Sequence, residues 1–369
     1  MAVLRLDLDN ILCFNGFSVD FSYPKKLVNS NLQGEFLSNY PNIRYRKANI
    51  IVGSNASGKT SLGRALWQIF LFLKDKEAKT IAAIVNHPEK PFSILMDCIF
   101  NHGEFFRVEI KRESPEEEML VRLQVLQANA NDSYEALVAK LDPSKAFESP
   151  LSALNQFEFG GWHFSFPSIE EGFDQISCKY EEAEKKDFCE IFKSVLSTMD
   201  PSIENVYPSA ELRDSFIVVF HDGDSIAITN GAKLGSIRRL SSGTKYAVNV
   251  AGVIYAIKKH RNGFYFVDEQ FSYVGSDVEI ACLTKMISLL DDGEQLFFTS
   301  HNTELLALPL PNHSFNFMSK NQADEGPSVI WTNAASLEKR NNVNIKNLYD
   351  NDFFGAIPNV DKILNIAEN

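Results

Sequence analysis

"NIIVGSNASGKTSLGRALWQIFLFLKD", Asn49 to Asp75, decides the fold. A short apolar run, "NIIV", leads into a glycine-containing turn and then into apolar residues at helical spacing. The turn, "GSNASGKT", Gly53 to Thr60, matches G-x-x-x-x-G-K-[ST] at every position. Gly53 and Gly58 free the backbone to aim N–H groups at phosphate oxygens, with Asn55 and Ser57 between them in the same cradle. Lys59 is placed to reach the β- and γ-phosphates of a nucleotide. Thr60 is placed to ligate Mg2+ through its hydroxyl, and Ser61 to touch the α-phosphate. A strand before the loop and a helix after it are what this chemistry needs, because the first N–H groups of a helix and its dipole favour an anion.

Two later stretches repeat the strand signal. "FYFVDEQ" puts Asp268 and Glu269 at the end of an apolar run, and a buried parallel strand reads as such a run. Ligand chemistry belongs at the carboxyl end of such strands. Asp268 is expected to orient Mg2+, and Glu269 to polarise the water that attacks the γ-phosphate of ATP. "LFFTSHN" ends in His301, whose imidazole is placed to hydrogen-bond the γ-phosphate. "LSSGTKYAVN", Leu240 to Asn249, is a second helix start built of small residues, so the chain carries two helix starts suited to phosphate.

Composition limits the alternatives. The chain has 369 residues, 44% hydrophobic and 23% charged, which fits a folded protein of about two domains. No apolar run reaches membrane-spanning length, and the acidic start "MAVLRLDLDN" is unlike a secretory signal. The five cysteines form no C-x-x-C pair, which points to a reducing, cytoplasmic setting without disulfides or zinc. A net charge of −12 makes a poor general grip for nucleic acid. The run "KANIIVG" and the pair Arg238–Arg239 are the nearest candidates for a local basic patch, so nucleic-acid binding by the chain alone is expected to be weak. The acid pairs Asp7/Asp9 and Asp222/Asp224 read as surface groups rather than metal ligands. No Ser/His/Asp or Cys/His nucleophile set can be placed, and no N-K-x-D guanine motif follows the phosphate loop.

The remaining pattern is an α/β core with parallel strands beside an antiparallel sheet. "AVLRLDLDNILCF", "FSVDFSY", "FSILMDCIF", "EFFRVEIK" and "MLVRLQVLQ" read as strands. Residues 129–172 show little periodicity, and Glu181 to Met199 read as a charged amphipathic helix. "SFIVVFHDGDSIAI" reads as a hairpin turning at "HDGD".

The phosphate loop, "LSSGT", "FYFVDE" and "FTSH", in that order, resemble the ABC-type ATPase heads of the RecF and SMC group. The resemblance implies a P-loop NTPase head with a mixed core sheet, an antiparallel β lobe and an inserted, partly helical segment. The implied divisions are 1–111 and 201–369 for the head, with 112–200 inserted. It also implies that Ser241 and Gly243 bind the nucleotide held by a partner head, so that a homodimer or larger homo-oligomer forms two composite sites. "LSSGTK", "FTSHNTELL" and "LYDNDFFGAIPN" further resemble the ABC-like ATPases of bacterial abortive-infection and phage-defence systems. Those lie near the overcoming-lysogenisation-defect nucleases, although no C-terminal toprim domain is expected here. The implied function is an ATPase that senses or scaffolds for a separate effector, a nuclease. The alternatives are a RecF-like ATPase that clamps DNA and a scaffold that binds ATP without hydrolysing it.

Two positions depart from the family pattern. Ser242 holds the second glycine slot of the signature. Gly275 holds a slot after Glu269 where Asp or His is usual, with Asp277 two residues beyond as a weak substitute. Gln124 and Gln127 are the candidates for the glutamine that the family uses near the metal.

Overall fold

The structure is a computed structural model. It describes residues 1–23, 32–167, 184–211, 215–229, 239–240, 242–272, 274–321, 327–340 and 343–357. At 242–245 only the backbone is described.

The core sheet is built from the apolar runs. Its strands are β5 (Ala48–Gly53), β9 (Trp162–Ser165), β13 (Phe264–Asp268), β14 (Gln295–Ser300), β15 (Phe315–Lys320) and β16 (Val329–Asn333), in the order β16-β15-β5-β14-β13-β9. The pairs β9–β13, β13–β14, β14–β5 and β5–β15 are parallel, and only β15–β16 is antiparallel. Both faces of these strands are covered, which explains their lack of alternation. Phe264 and Phe266 of β13 pack to one side with Phe297 and Ile51, whereas Tyr265 and Val267 pack to the other with Phe298 and Val52.

A five-stranded antiparallel sheet lies on the first side. It runs β2-β1-β6-β7-β8, from β1 (Ala2–Asp9), β2 (Phe17–Asp20), β6 (Phe92–Ile99), β7 (Glu104–Arg112) and β8 (Leu120–Gln127). Helix α1 (Lys59–Asp75) is held between it and the core sheet through Leu62, Leu66, Ile69 and Phe70. The short hairpin β3 (Phe36–Leu37)–β4 (Tyr40–Arg44) and the helices α2 (Ala78–Ala82), α3 (Tyr134–Ala139) and α4 (Pro150–Ala153) cover its margins.

The second side is more helical. Helix α5 (Lys185–Met199) packs on the three-stranded sheet β10 (Ile203–Pro208), β11 (Ser215–Phe220) and β12 (Ser225–Thr229), and on α6 (Ser242–Lys258). Phe188 and Phe192 meet Phe216 from this helix, the amphipathic face that the sequence predicts. Helix α7 (Ser276–Leu289) and the short α8 (Ala334–Leu337) and α9 (Ile345–Asp350) complete the layer. Among the described residues no helix is long and apolar enough to cross a membrane.

The expected division of the chain crosses the strand pairing. The boundary at 111/112 cuts off the last residue of β7 and parts that strand from β8, which pairs with it from Glu104–Gln127 to Lys111–Leu120. Within 112–200, β9 forms the edge of the core sheet itself. Backbone pairing with β13 therefore builds part of the supposed insertion into the head.

Candidate functional site

The phosphate loop leaves the carboxyl end of β5 and enters α1. Gly58 is the N-cap of that helix, in a left-handed conformation (φ 109°), with no side chain capping the first N–H groups. No acidic residue occupies the first turn. Those N–H groups are thus open to an anion from outside the chain. Gly53 is required for a different reason: a Cβ there would come within 2.4 Å of the Met318 carbonyl oxygen. Asn55, Ala56, Ser57, Gly58, Lys59, Thr60 and Ser61 line an open cavity of about 510 Å³, joined by Glu269, Cys13 and Lys320. That volume is within the usual range of small-molecule sites. The hydroxyl of Ser57 is buried in the loop with no hydrogen-bond partner among the described residues, as suits a cradle awaiting an acceptor.

Two side chains from separate strand ends, Glu269 after β13 and His301 after β14, converge on Lys59. Its ammonium donates to the carbonyls of Gly53 (2.7 Å) and Ser54 (3.1 Å) and lies 3.3 Å from Glu269 Oε1. Burial lowers its pKa, opposed by the charge and hydrogen bond of Glu269. His301 Nε2 is 2.9 Å from Glu269 Oε1, and its Nδ1 is 3.1 Å from the Gly53 carbonyl. The same Nδ1 is 3.4 Å from the Lys59 ammonium, so whether it donates to Gly53 or accepts from Lys59 depends on the tautomer. Burial would raise the pKa of Glu269, but the His301 hydrogen bond and the Lys59 and His301 charges outweigh it and hold the carboxyl below its ordinary range. Glu269 has a left-handed backbone (φ 43°), an uncommon state for a non-glycine residue and one that collects at working sites.

Asp268 is fully buried beneath this group. Its carboxylate accepts from Thr60 Oγ1 (2.8 Å) and Thr299 Oγ1 (2.6 Å). Burial raises its pKa, against the pull of these two hydroxyls. A hydroxyl and a carboxylate in contact at the mouth of a phosphate loop are hard oxygen donors of the kind Mg2+ takes, together with nucleotide phosphates and water. These residues fit both ATP and Mg2+. Among the described residues no cluster of three or more His, Cys, Asp or Glu side chains could hold a metal by itself.

The remaining expected residues lie elsewhere or outside the described residues. Gly243 lies in the first turn of α6, and Ser241 is outside the described residues. Gln124 and Gln127 serve the antiparallel lobe instead, Gln124 accepting from Asp142 N and Gln127 donating to the His102 carbonyl. Arg239 is bound to Asp222 and Asp224 across the hairpin turn, so these acids anchor the approach to α6 and occupy one arginine of the expected basic pair. Arg238 is outside the described residues. Asp277 is exposed, and the acid that reaches the site after Glu269 is Glu279. Cys13, Glu279 and Lys320 carry no local motif, so sequence reading had no signal for them, and Thr299 stands inside "FTSH" without its bond to Asp268 being legible there.

A scan against protein-family models finds no match, and a sequence search of curated proteins finds none. Similarity appears in three dimensions. An SMC head solved with the C-winged helix domain of ScpA superimposes with a TM-score of 0.51 at 14% identity, over 92% of this chain and 100% of that chain. An SMC head from Pyrococcus furiosus with an extended coiled coil, bound to the C-terminal domain of ScpA, gives 0.49 at 13%, over 90% and 97%. The SMC head domain from Thermotoga maritima gives 0.43 at 13%, over 90% and 99%. On the first of these likenesses, with the sheet order above, the chain has the α/β fold of an ABC-type ATPase head.

Proposed function

We propose that the chain binds and hydrolyses ATP, and that ATP closes it on a second copy of itself. The observation that carries this is the contact network that joins Asp268 to Thr60 and His301 to Glu269 and Lys59, at the cavity that Lys59, Thr60 and Glu269 line. Lys59 would exchange Glu269 and the loop carbonyls for the β- and γ-phosphates. Thr60 and Asp268 would hold Mg2+, which supplies neutralisation of phosphate charge. Glu269, kept ionised by its neighbours, would take a proton from the attacking water, and His301 would hold the γ-phosphate. Ser241 and Gly243 would close over the nucleotide of the partner copy, giving two sites per dimer. Steady-state phosphate release with Mg-ATP, with and without EDTA, tests the enzymatic part. No release above a Lys59→Ala control would reduce the chain to a non-hydrolysing scaffold.

The finer reading is a cytoplasmic sensor and scaffold for a separate effector, a nuclease, in antiphage defence. It rests on the motif resemblance and on the lack of any recognisable nuclease centre in the sequence. The SMC head seen with ScpA domains offers an analogy for a head that carries a partner protein. Purification of a tagged chain from its native operon, with and without Lys59→Ala, tests this reading. Cleavage of DNA or RNA by the chain alone would overturn it.

A further inference from the structure

We infer that Glu279 is a positioning residue that holds His301 against Glu269 and ties it to the chain at Gly275, where α7 begins. The inference rests on the reading of Glu269 and His301 as the hydrolytic pair.

Helix α7 starts after Gly275, and Glu279 N donates to the Gly275 carbonyl (3.3 Å), so Glu279 sits in the first helical turn. Its side chain is turned inward, leaving the residue only 4% exposed. One carboxylate oxygen accepts from Ser300 Oγ (2.6 Å) and the other from Asn302 Nδ2 (2.8 Å). Ser300 Oγ also accepts from Asn302 N (2.9 Å), which closes a ring. Ser300 and Asn302 are the two neighbours of His301 in the chain, so a single carboxylate holds the side chains on both sides of the imidazole. Asn302 Oδ1 in turn accepts from Glu304 N, anchoring the segment that follows.

The placement is costly. Burial raises the pKa of Glu279, and the donors Ser300 and Asn302 oppose this. An apolar side chain would fill the space without that cost, so the carboxylate makes sense as an organiser of two donors. The same carboxylate forms one wall of a cavity of about 320 Å³ whose other walls include Glu269, Phe271, Ser272 and His301. A shift of the chain at Gly275 would therefore reach His301 through one turn of α7. Gly275 presents no side chain here and Asp277 points to solvent, which leaves Glu279 as the acid from this segment that engages the His301 turn.

The test compares the full-length chain with Glu279→Ala and Glu279→Gln. Two readouts are needed: kcat and KM for Mg-ATP, and the ring nitrogen signals of His301 in a 15N-histidine NMR spectrum, assigned with His301→Gln. For Glu279→Ala, kcat is expected to fall by about 10- to 100-fold with KM held within about 2-fold, the pattern of a misplaced group rather than a lost binding contact. The His301 signals should move toward those of free imidazole. Glu279→Gln retains size and one acceptor, so its effect should be smaller in both readouts and in the same direction. A wild-type kcat with unchanged His301 signals would overturn the inference, and so would a fall in kcat that leaves His301 unmoved. If Glu279→Ala does not fold, Glu279→Gln carries the same two outcomes. If the wild type hydrolyses no ATP, the functional reading fails, yet the His301 signals still decide whether Glu279 positions that side chain.

Discussion

Replacing Glu269 with Gln should have opposite effects on binding and turnover. Glu269 holds the Lys59 ammonium at 3.3 Å and His301 at 2.9 Å. Lys59 and His301 are the two groups assigned to the phosphates of ATP, so the carboxylate competes with the ligand. At 3.3 Å Coulomb's law in a protein-like dielectric gives several kcal/mol. The Glu269 side chain is 21% exposed, and pairs open to water retain about 1 kcal/mol. Gln keeps the shape, removes this competition and relieves repulsion of the γ-phosphate. Mg-ATP should therefore bind about 5- to 10-fold more tightly, since about 1.4 kcal/mol is tenfold. Loss of the base should slow hydrolysis by about 100-fold or more. Titration calorimetry and phosphate release measure the two effects. Weaker binding with unchanged hydrolysis would refute the reasoning, because Glu269 would then be neither competitor nor base.

Other perturbations separate the remaining parts of the site. Asp268→Asn should raise the thermal midpoint of the metal-free chain at pH 7, because burial raises the Asp268 pKa and its ionised form disfavours the fold above that value; a lowered midpoint would count against this. For the same reason Mg2+ affinity of the wild type should fall on acidification at a higher pH than an ordinary Asp would give, measured by titration across pH 4 to about 7. Gly63→Ala should destabilise by about 1–3 kcal/mol in denaturant melts despite the better helix propensity of Ala, since the new Cβ would meet the Phe266 ring at 2.5 Å. Ser241→Arg should leave Mg-ATP affinity within about 2-fold while preventing ATP-driven dimerisation in sedimentation; intact dimerisation would remove Ser241 from the composite site.

The parts of the fold legible in the sequence are those fixed by local chemistry. The phosphate loop is one strand, one turn and one helix, so its residues announce themselves. Strands β13 and β14 show as apolar runs because both of their faces are buried. Strand β15, "FNFMSK", mixes polar with apolar residues: Asn316 is buried but is satisfied by the Asn333 side chain, a partner invisible in sequence. Strand β9 is short, sits at the sheet edge and is held by aromatic contacts such as Phe164 with Phe266, so it looked like part of an irregular insertion. At the site, Lys59, Thr60, Asp268, Glu269 and His301 were identifiable because each stands at the end of a recognisable element. Glu279 and Thr299 act through partners 21 and 31 residues away, and only the folded chain brings those pairs together.

Titration of Mg-ATP into the wild type and Lys59→Ala by calorimetry tests the central claim most directly. Lys59 is the one ammonium within reach of the loop carbonyls Gly53 and Ser54, Glu269 and His301 among the described residues. The expected result is saturable binding of one Mg-ATP per wild-type chain, weakened by at least about tenfold, about 1.4 kcal/mol, in Lys59→Ala. Equal affinity in the two proteins, or no binding by the wild type, would contradict the assignment of this cavity to ATP.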